Sequence, residues 1–446
     1  MKKSILKLSA LAFGLMLISS SCDDDKIDPV EEPDFGGIEI RENTTWKKDS
    51  VYTLTEKTWV LNGATLTIEE GAIIRAESKS DPKDAVALII TPGAKIMAEG
   101  TKENPIVFTT AEDDIQPGKP STLESDIKGK WGGIVIMGRA TSDTKDEKEG
   151  VSIEGIESGD PRGQYGTEMI DDDNSGVMRY VSIRHGGAQV TGGSELNGLS
   201  LYSVGSGTTL EYIEVFANGD DGIEFFGGKP TMKYALVTHC GDDAFDYDQG
   251  YTGLGQFWAT IQNDNEGDKG GEFDGGEGDK NPNSIPTIAN FTFIGEGTNT
   301  GFHCKKSTGG KFYNGIIHNF DSGILIDGAQ DADLHFEGIV VSNSNRFGAV
   351  YTGNIGDDKI LTVADSNVTS AEKDYVKADV TSSNISSISW SANGSADVIP
   401  EATDVTTTTS NPATLTATTY KGAFDPALST TWAAGWTKTA ELNLID

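Results

Sequence analysis

The sequence predicts an all-β chain wound as a right-handed parallel β-helix, a single-stranded solenoid with a C-terminal capping segment. Two observations carry this. Residues 212–225 superimpose without a gap on residues 234–247, an offset of 234 − 212 = 22, and Gly-Asp-Asp recurs in phase as Gly219-Asp220-Asp221 and Gly241-Asp242-Asp243. A fixed period of roughly 20–50 residues is the mark of a stacked repeat. From residue 46 onward the chain is also made of short β-rich runs separated by Gly, Asn and Asp, with no long amphipathic helix pattern. One coil of this kind cannot bury its inward side chains. Successive coils, stacked about 4.8 Å apart, share a continuous interior.

The elements follow in order. The N-terminus carries Lys2-Lys3, an apolar run over 5–18, then Ser19-Ser20-Ser21 and Cys22. A basic start, an apolar stretch too short to span a bilayer and small residues before the break predict a signal peptide over 1–21. With the cysteine directly after it, the segment resembles a bacterial lipoprotein signal, although Ser19 stands where that signal usually has Leu. The resemblance implies a diacylated Cys22 with palmitate-type chains, and the relaxed motif is similar to those of Bacteroidetes. Asp23-Asp24-Asp25 resembles the acidic tag that directs such lipoproteins to the outer face of the outer membrane. Residues 22–45 read as an acidic, proline-containing tether and N-terminal cap. No later segment approaches the ~20 apolar residues of a membrane helix.

Residues 46–357 read as the β-helix. Residues 65–74 and 88–96 are successive coils, 104–109 continues the second, and 131–136 opens another. The 22-residue cadence weakens over 258–274 and 291–304 and returns in 312–326 and 336–351. In-phase inward positions are Ile223, Phe245, Phe273, Phe302, Ile324 and Ala349. The charged stretch 140–176 reads as a long loop. Residues 358–418 are Ser/Thr-rich, either irregular or worn coils. In the cap at 419–446, Phe424, Trp432 and Trp436 would plug the open end, where unpaired backbone groups need cover. Cys240 and Cys304 fall at different points of the coil, which predicts two unpaired buried thiols.

The chain has 35 Lys+Arg against 69 Asp+Glu, 35 − 69 = −34. Such a surface repels phosphates and argues against nucleic acid. It suits calcium, cationic ligands or solubility alone.

The strings at 131–136 (WGGIVI), 218–224 (NGDDGIE), 241–246 (GDDAFD) and 248–253 (DQGYTG) resemble those of pectate-lyase-like β-helices, and more narrowly a group of outer-membrane lipoproteins of that fold. The resemblance spans roughly 46–355 and implies fold and location more than activity.

The repeat predicts an outward column of Glu224, Asp246, Asp274 and His303, with Asp220, Asp221, Asp242 and Asp243 in the adjoining turns. Carboxylates at that spacing repel unless a cation or proton lies between them, and calcium is the hard, oxygen-seeking partner. Glu224, Asp242, Asp243, Asp246 and Asp274 are therefore the candidate ligands. The structural alternative is that Gly-Asp-Asp serves corner geometry. In lyases of the resembled fold, calcium bridges acids to the sugar and a Lys or Arg takes the proton. That implies Asp246, Lys305 and Lys306 as catalytic candidates, and a Lys base requires a depressed pKa. The clustered Asp residues also resemble a polygalacturonase-type glycosidase, without its Gly-His-Gly or Arg-Ile-Lys elements. Asp171 to Gly176 resembles the start of an EF-hand loop, but the twelfth position is Ser182 rather than Glu. Tyr247, Tyr251 and Trp258, with Phe257, are candidates for a sugar-stacking platform, the alternative being packing.

Two functions follow. One is a surface-exposed outer-membrane lipoprotein whose rigid β-helix binds or displays a glycan or an envelope partner, such as a TonB-dependent receptor, without catalysis. The other is a calcium-dependent polysaccharide lyase or glycoside hydrolase acting on acidic glycans. A structural stalk or adhesin is a third, weaker reading.

Overall fold

The computed structural model describes residues 35–344 except 145, 147–149, 158, 191–194, 264–266, 277–281, 298 and 328–333, the backbone of 349–350 and 376–382, residue 385, and 398–445 except 408. The signal peptide, Cys22, the acidic run behind it and most of 351–397 lie outside the described residues.

The chain climbs as parallel coils. Among the described residues, an 11-stranded sheet, the front sheet, takes one short strand from each coil, a 15-stranded sheet takes the other coil strands, and Val151–Ser152 pairs antiparallel with Gln164–Tyr165. Ile223 stacks on Phe245 in parallel register, as the 22-residue repeat requires. The ladder starts at Ile38–Ile40, paired with Thr58–Val60, so the first coil opens before residue 46.

Strands of the second sheet are long and creased. Thr209–Phe216, Thr231–Thr238 and Leu254–Ile261 each bend at a residue with positive φ: Tyr212 (54°), Tyr234 (59°) and Phe257 (61°). The crease turns one sheet into two faces, so each coil has three sides. A left-handed conformation costs a bulky residue energy, and stacking offsets that cost. The rings of Tyr180, Tyr212, Tyr234 and Phe257 form a column with centroids 4.4, 4.3 and 4.7 Å apart. Asn290 and Asn314 continue the corner with positive φ, the conformation Asn tolerates best after Gly.

The interior is one apolar column. Its first row is Leu199, Ile223, Phe245, Gly271, Phe302 and Ile324. Phe273, expected in that row, sits one step along with Phe225, Tyr247 and Cys304. Its ring fills the space beside Gly271, where an added Cβ would lie 2.3 Å from it. Ala349 pairs with Leu325 rather than Ile324, a slip of one residue. Cys240 and Cys304 are buried free thiols.

Two segments cover the outside of the coils. The excursion over 140–176 folds back on the front sheet in the early coils. Ile153 and Tyr165 pack on Trp59, Val135, Met137, Tyr202 and Phe226, and the Arg162 guanidinium lies 4.4 Å over the Trp59 ring. Within it, Asp171 accepts from Lys229 Nζ and from the Thr141 amide, so the EF-hand-like carboxylate is spent on a lysine and a backbone group.

The C-terminal segment corrects the expectation of an end plug. It runs back along the flank of the coils as a strap. Val405, Ala423, Phe424 and Ala433 pack on the outward Leu236, Ala259, Ile261, Ile294, Ile316 and Val340. Trp432 and Trp436 meet the tyrosine column edge-on, at 5.6 Å from Tyr234 and 5.4 Å from Tyr180. The physical reason is the apolar outer face of the third side, which needs burial as the open end does. Among the described residues no helix is long and apolar enough to cross a membrane.

Trp258 is wholly buried between Phe225 and Phe245. Trp258→Ala is expected to cost about 3–5 kcal/mol, read as a lowered thermal midpoint by circular dichroism. Removing residues 398–446 should expose the strap's apolar bed, lower the midpoint and raise binding of a hydrophobic dye. Unchanged values for both would contradict the strap's role as a second packed layer.

Candidate cation site on the front sheet

At Glu224 the outer face of the front sheet changes from apolar to acidic. There the outward row runs Glu224, Asp246, Glu272, His303, one residue per coil. Asp274, placed in this row by the sequence repeat, lies two residues along and pairs with Lys305. Gly270-Gly271 is the cause, because without side chains these positions give the hydrophobic pattern no phase. The acid–aromatic dipeptides Glu224-Phe225, Asp246-Tyr247 and Glu272-Phe273 were the signal that marks the register.

The turns beside the row add Asp220, Asp221, Asp242, Asp243 and Asp268. Each turn lies on the one before it: a Cβ at Gly241 would come within 2.1 Å of the Gly219 carbonyl oxygen. Glycine is therefore obligatory where the turns touch. Asp221 Oδ1 accepts from the Asp243 amide at 2.9 Å, so this carboxylate ties one turn to the next as well as carrying charge. The structural and electrostatic roles coincide in one residue.

Four overlapping groups result: Asp220–Asp221–Asp242, Asp221–Glu224–Asp246, Asp242–Asp243–Asp268 and Asp243–Asp246–Glu272, each with ligand oxygens within 4.8 Å of one another. Burial, and then the neighbouring carboxylates, push Asp221, Glu224, Asp243 and Asp246 well above the ordinary carboxyl range. Asp220 is pushed to about 9 by burial and by Glu195. Glu154, carried in by the excursion, is pushed to about 7 by burial, Glu195 and Asp248. Glu272 goes the other way: burial raises it, but His303, Lys305 and Lys269 together hold it below its usual value.

The predicted bases do not fit their role. Lys305 pairs with Glu272 and lies 3.6 Å from Asp274, and Lys306 lies 2.9 Å from Asp274. Burial lowers the Lys305 pKa, yet Glu272 and Asp274 more than reverse this and leave it raised. Tyr247, Tyr251 and Trp258 are not a surface platform: all three are fully buried in the interior, Tyr247 because it alternates inward with Asp246, and Tyr251 and Trp258 because they stack on the interior ring of Phe225. Glu154, Glu195, Asn197 and Lys269 were missed. They come from loops or single positions that no repeat marks.

Beside the acids lies a groove of about 560 Å³, lined by Gly187, Gly219 and Gly241 together with Lys128, Glu195 and Asp220. The oxygen-rich, partly desolvated groups suit a hard divalent ion that takes six to eight oxygens, and Asn197 Oδ1, buried and without a hydrogen-bond partner, adds a neutral oxygen beside Glu224.

The sign of the pH dependence follows. A carboxyl with a raised folded pKa keeps its proton while the unfolded chain, titrating near 4, has lost it. Stability of the metal-free protein should therefore fall as pH rises from about 4 through Asp220's value of about 9. Glu272 contributes in the opposite sense, below that window. Thermal midpoints in chelator across this range test it, and a rising profile would contradict the assignment.

The profile of the pectate-lyase like β-helix domain matches residues 38–437. No curated protein and no solved structure matches the chain.

Proposed function

The chain belongs to the pectate-lyase-like β-helix family, and from that premise we propose that it is a surface-exposed outer-membrane lipoprotein, tethered through Cys22, that binds calcium and through it an acidic glycan without cleaving it. The observation that carries the reading is the set of four contiguous carboxylate groups along the front sheet and its turns, with members from buried to exposed. Mutual repulsion makes such a row unstable when ionised, and a divalent ion relieves it. The glycines that line the groove leave backbone without side chains beside Asp220, where a polymer could approach closely. The tether rests on Lys2-Lys3, the apolar run and the Ser-Ser-Ser-Cys22 junction.

A non-catalytic role is favoured because a lyase needs a lysine or arginine that can shed its proton, and Lys305 is held charged by Glu272 and Asp274. One observation favours the second reading, a glycoside hydrolase. Burial and the neighbouring carboxylates push Asp220 to about 9 and Glu154 to about 7, the direction a general acid needs.

Calcium titration tests the first reading. An affinity on the order of 10⁻⁴–10⁻³ M is expected, the range of extracellular calcium modules. At 100 times the dissociation constant the ion should stabilise the fold by about 2.7 kcal/mol. Glu224→Gln and Asp246→Asn should abolish that gain, and a gain that survives both would place the ion elsewhere. Incubation with polygalacturonate and calcium should yield neither unsaturated uronide absorbance nor new reducing ends. New reducing ends alone would favour the hydrolase. Cys22→Ala should move the protein from the membrane to the soluble fraction.

A further inference from the structure

Half of the acidic row already holds a cation, and the chain supplies it. Lys269 Nζ lies 3.4 Å from both oxygens of Asp243 and 2.9 Å from Glu272, and it pairs with Asp268. These acids belong to the Asp242–Asp243–Asp268 and Asp243–Asp246–Glu272 groups. The Lys269 side chain is 13% exposed, so its ammonium is set into the site rather than held in solvent.

The other half is different. Among the described residues, no lysine or arginine forms an ion pair with Asp221, Glu224 or Asp246; the nearby lysines are engaged by Asp243, Asp268, Glu272 and Asp274. Asn197, 1% exposed, donates from Nδ2 to Glu224 and leaves Oδ1 without a partner. Asp246 Oδ1 also has no hydrogen-bond partner. Buried oxygens of this kind normally find a donor or an ion.

We propose that Lys269 is the resident counter-ion of the lower acids, that it excludes a metal ion from them, and that it thereby limits the molecule to one external divalent cation, held by Asp221, Glu224, Asp246 and Asn197. This rests on the cation-binding reading above. The physics is competition between a tethered and a free cation. The ammonium is already positioned on a strand, so it fills its site without the association cost a free ion bears. A divalent ion there would also face its positive charge at short range. Lys305 stays on Glu272 in either case, so removing Lys269 frees the Asp242–Asp243–Asp268 group.

Calcium stoichiometry by isothermal titration and equilibrium dialysis tests this on the mature chain. Wild type should take up one ion, Lys269→Met two, and Lys269→Arg one, because the arginine restores the tethered charge. Two ions on wild type, or one on a folded Lys269→Met, would overturn the role of the lysine while leaving the cation site standing. No uptake by wild type would instead overturn the underlying reading. Should Lys269→Met not fold, two variants of the wild-type background serve. Glu272→Gln should still take up one ion and Glu224→Gln none, and the reverse pattern would sink the proposal.

Discussion

Parallel stacking sets each residue of a coil directly over its counterpart in the next, about 4.8 Å away. Inside the helix this spacing is favourable, because aromatic rings stack at close to that distance. Tyr247 over Phe273, with centroids 4.6 Å apart, is one instance. Outside, the same spacing is unfavourable whenever like charges share a position, as Glu224, Asp246 and Glu272 do. The alternation of side chains along a strand lets both occur in one dipeptide, the acid facing out and the aromatic facing in.

The outer surfaces of such a helix are not equivalent, and two covering segments make them differ. The excursion over 140–176 buries the front sheet up to Tyr202 and Phe226, and the strap buries the third side. Beyond that apolar cover the outward positions of the front sheet are acids. Glu214 shows how closely the strap is joined to the coils: its buried carboxylate accepts from the amides of Lys438 and Thr439 and from the Thr439 and Ser182 hydroxyls. A carboxylate with that many donors is satisfied. The acids of the front row, by contrast, have few donors.

That contrast separates structural acids from candidate ligands. Burial of a carboxylate is costly without donors or counter-charge. Glu214 meets the cost with strap amides, and Glu272 and Asp243 meet it with lysines. Asp221, Glu224 and Asp246 have no lysine or arginine ion pair among the described residues, and burial with the neighbouring carboxylates pushes their carboxyls toward the protonated form. Composition alone treats all of these acids alike.

The order of residues already carries the all-β solenoid, the 22-residue rung at 212–247, the stacking of Ile223 on Phe245 and the free buried cysteines, because a repeat in phase with side-chain alternation leaves one way to share an interior. It also located most of the acids, since Gly-Asp-Asp recurs in the two successive coils at 219–221 and 241–243, where one turn lies on the other. The tertiary structure alone decided the rest. Register across Gly270-Gly271 put Glu272 rather than Asp274 in the row, because two residues without side chains carry no hydrophobic phase. The direction of the aromatics turned Tyr247, Tyr251 and Trp258 inward. Glu154, Asn197 and Lys269 reach the site, and the strap reaches the flank, through contacts distant in the chain. Periodicity records which positions repeat, and it holds no information about segments that do not.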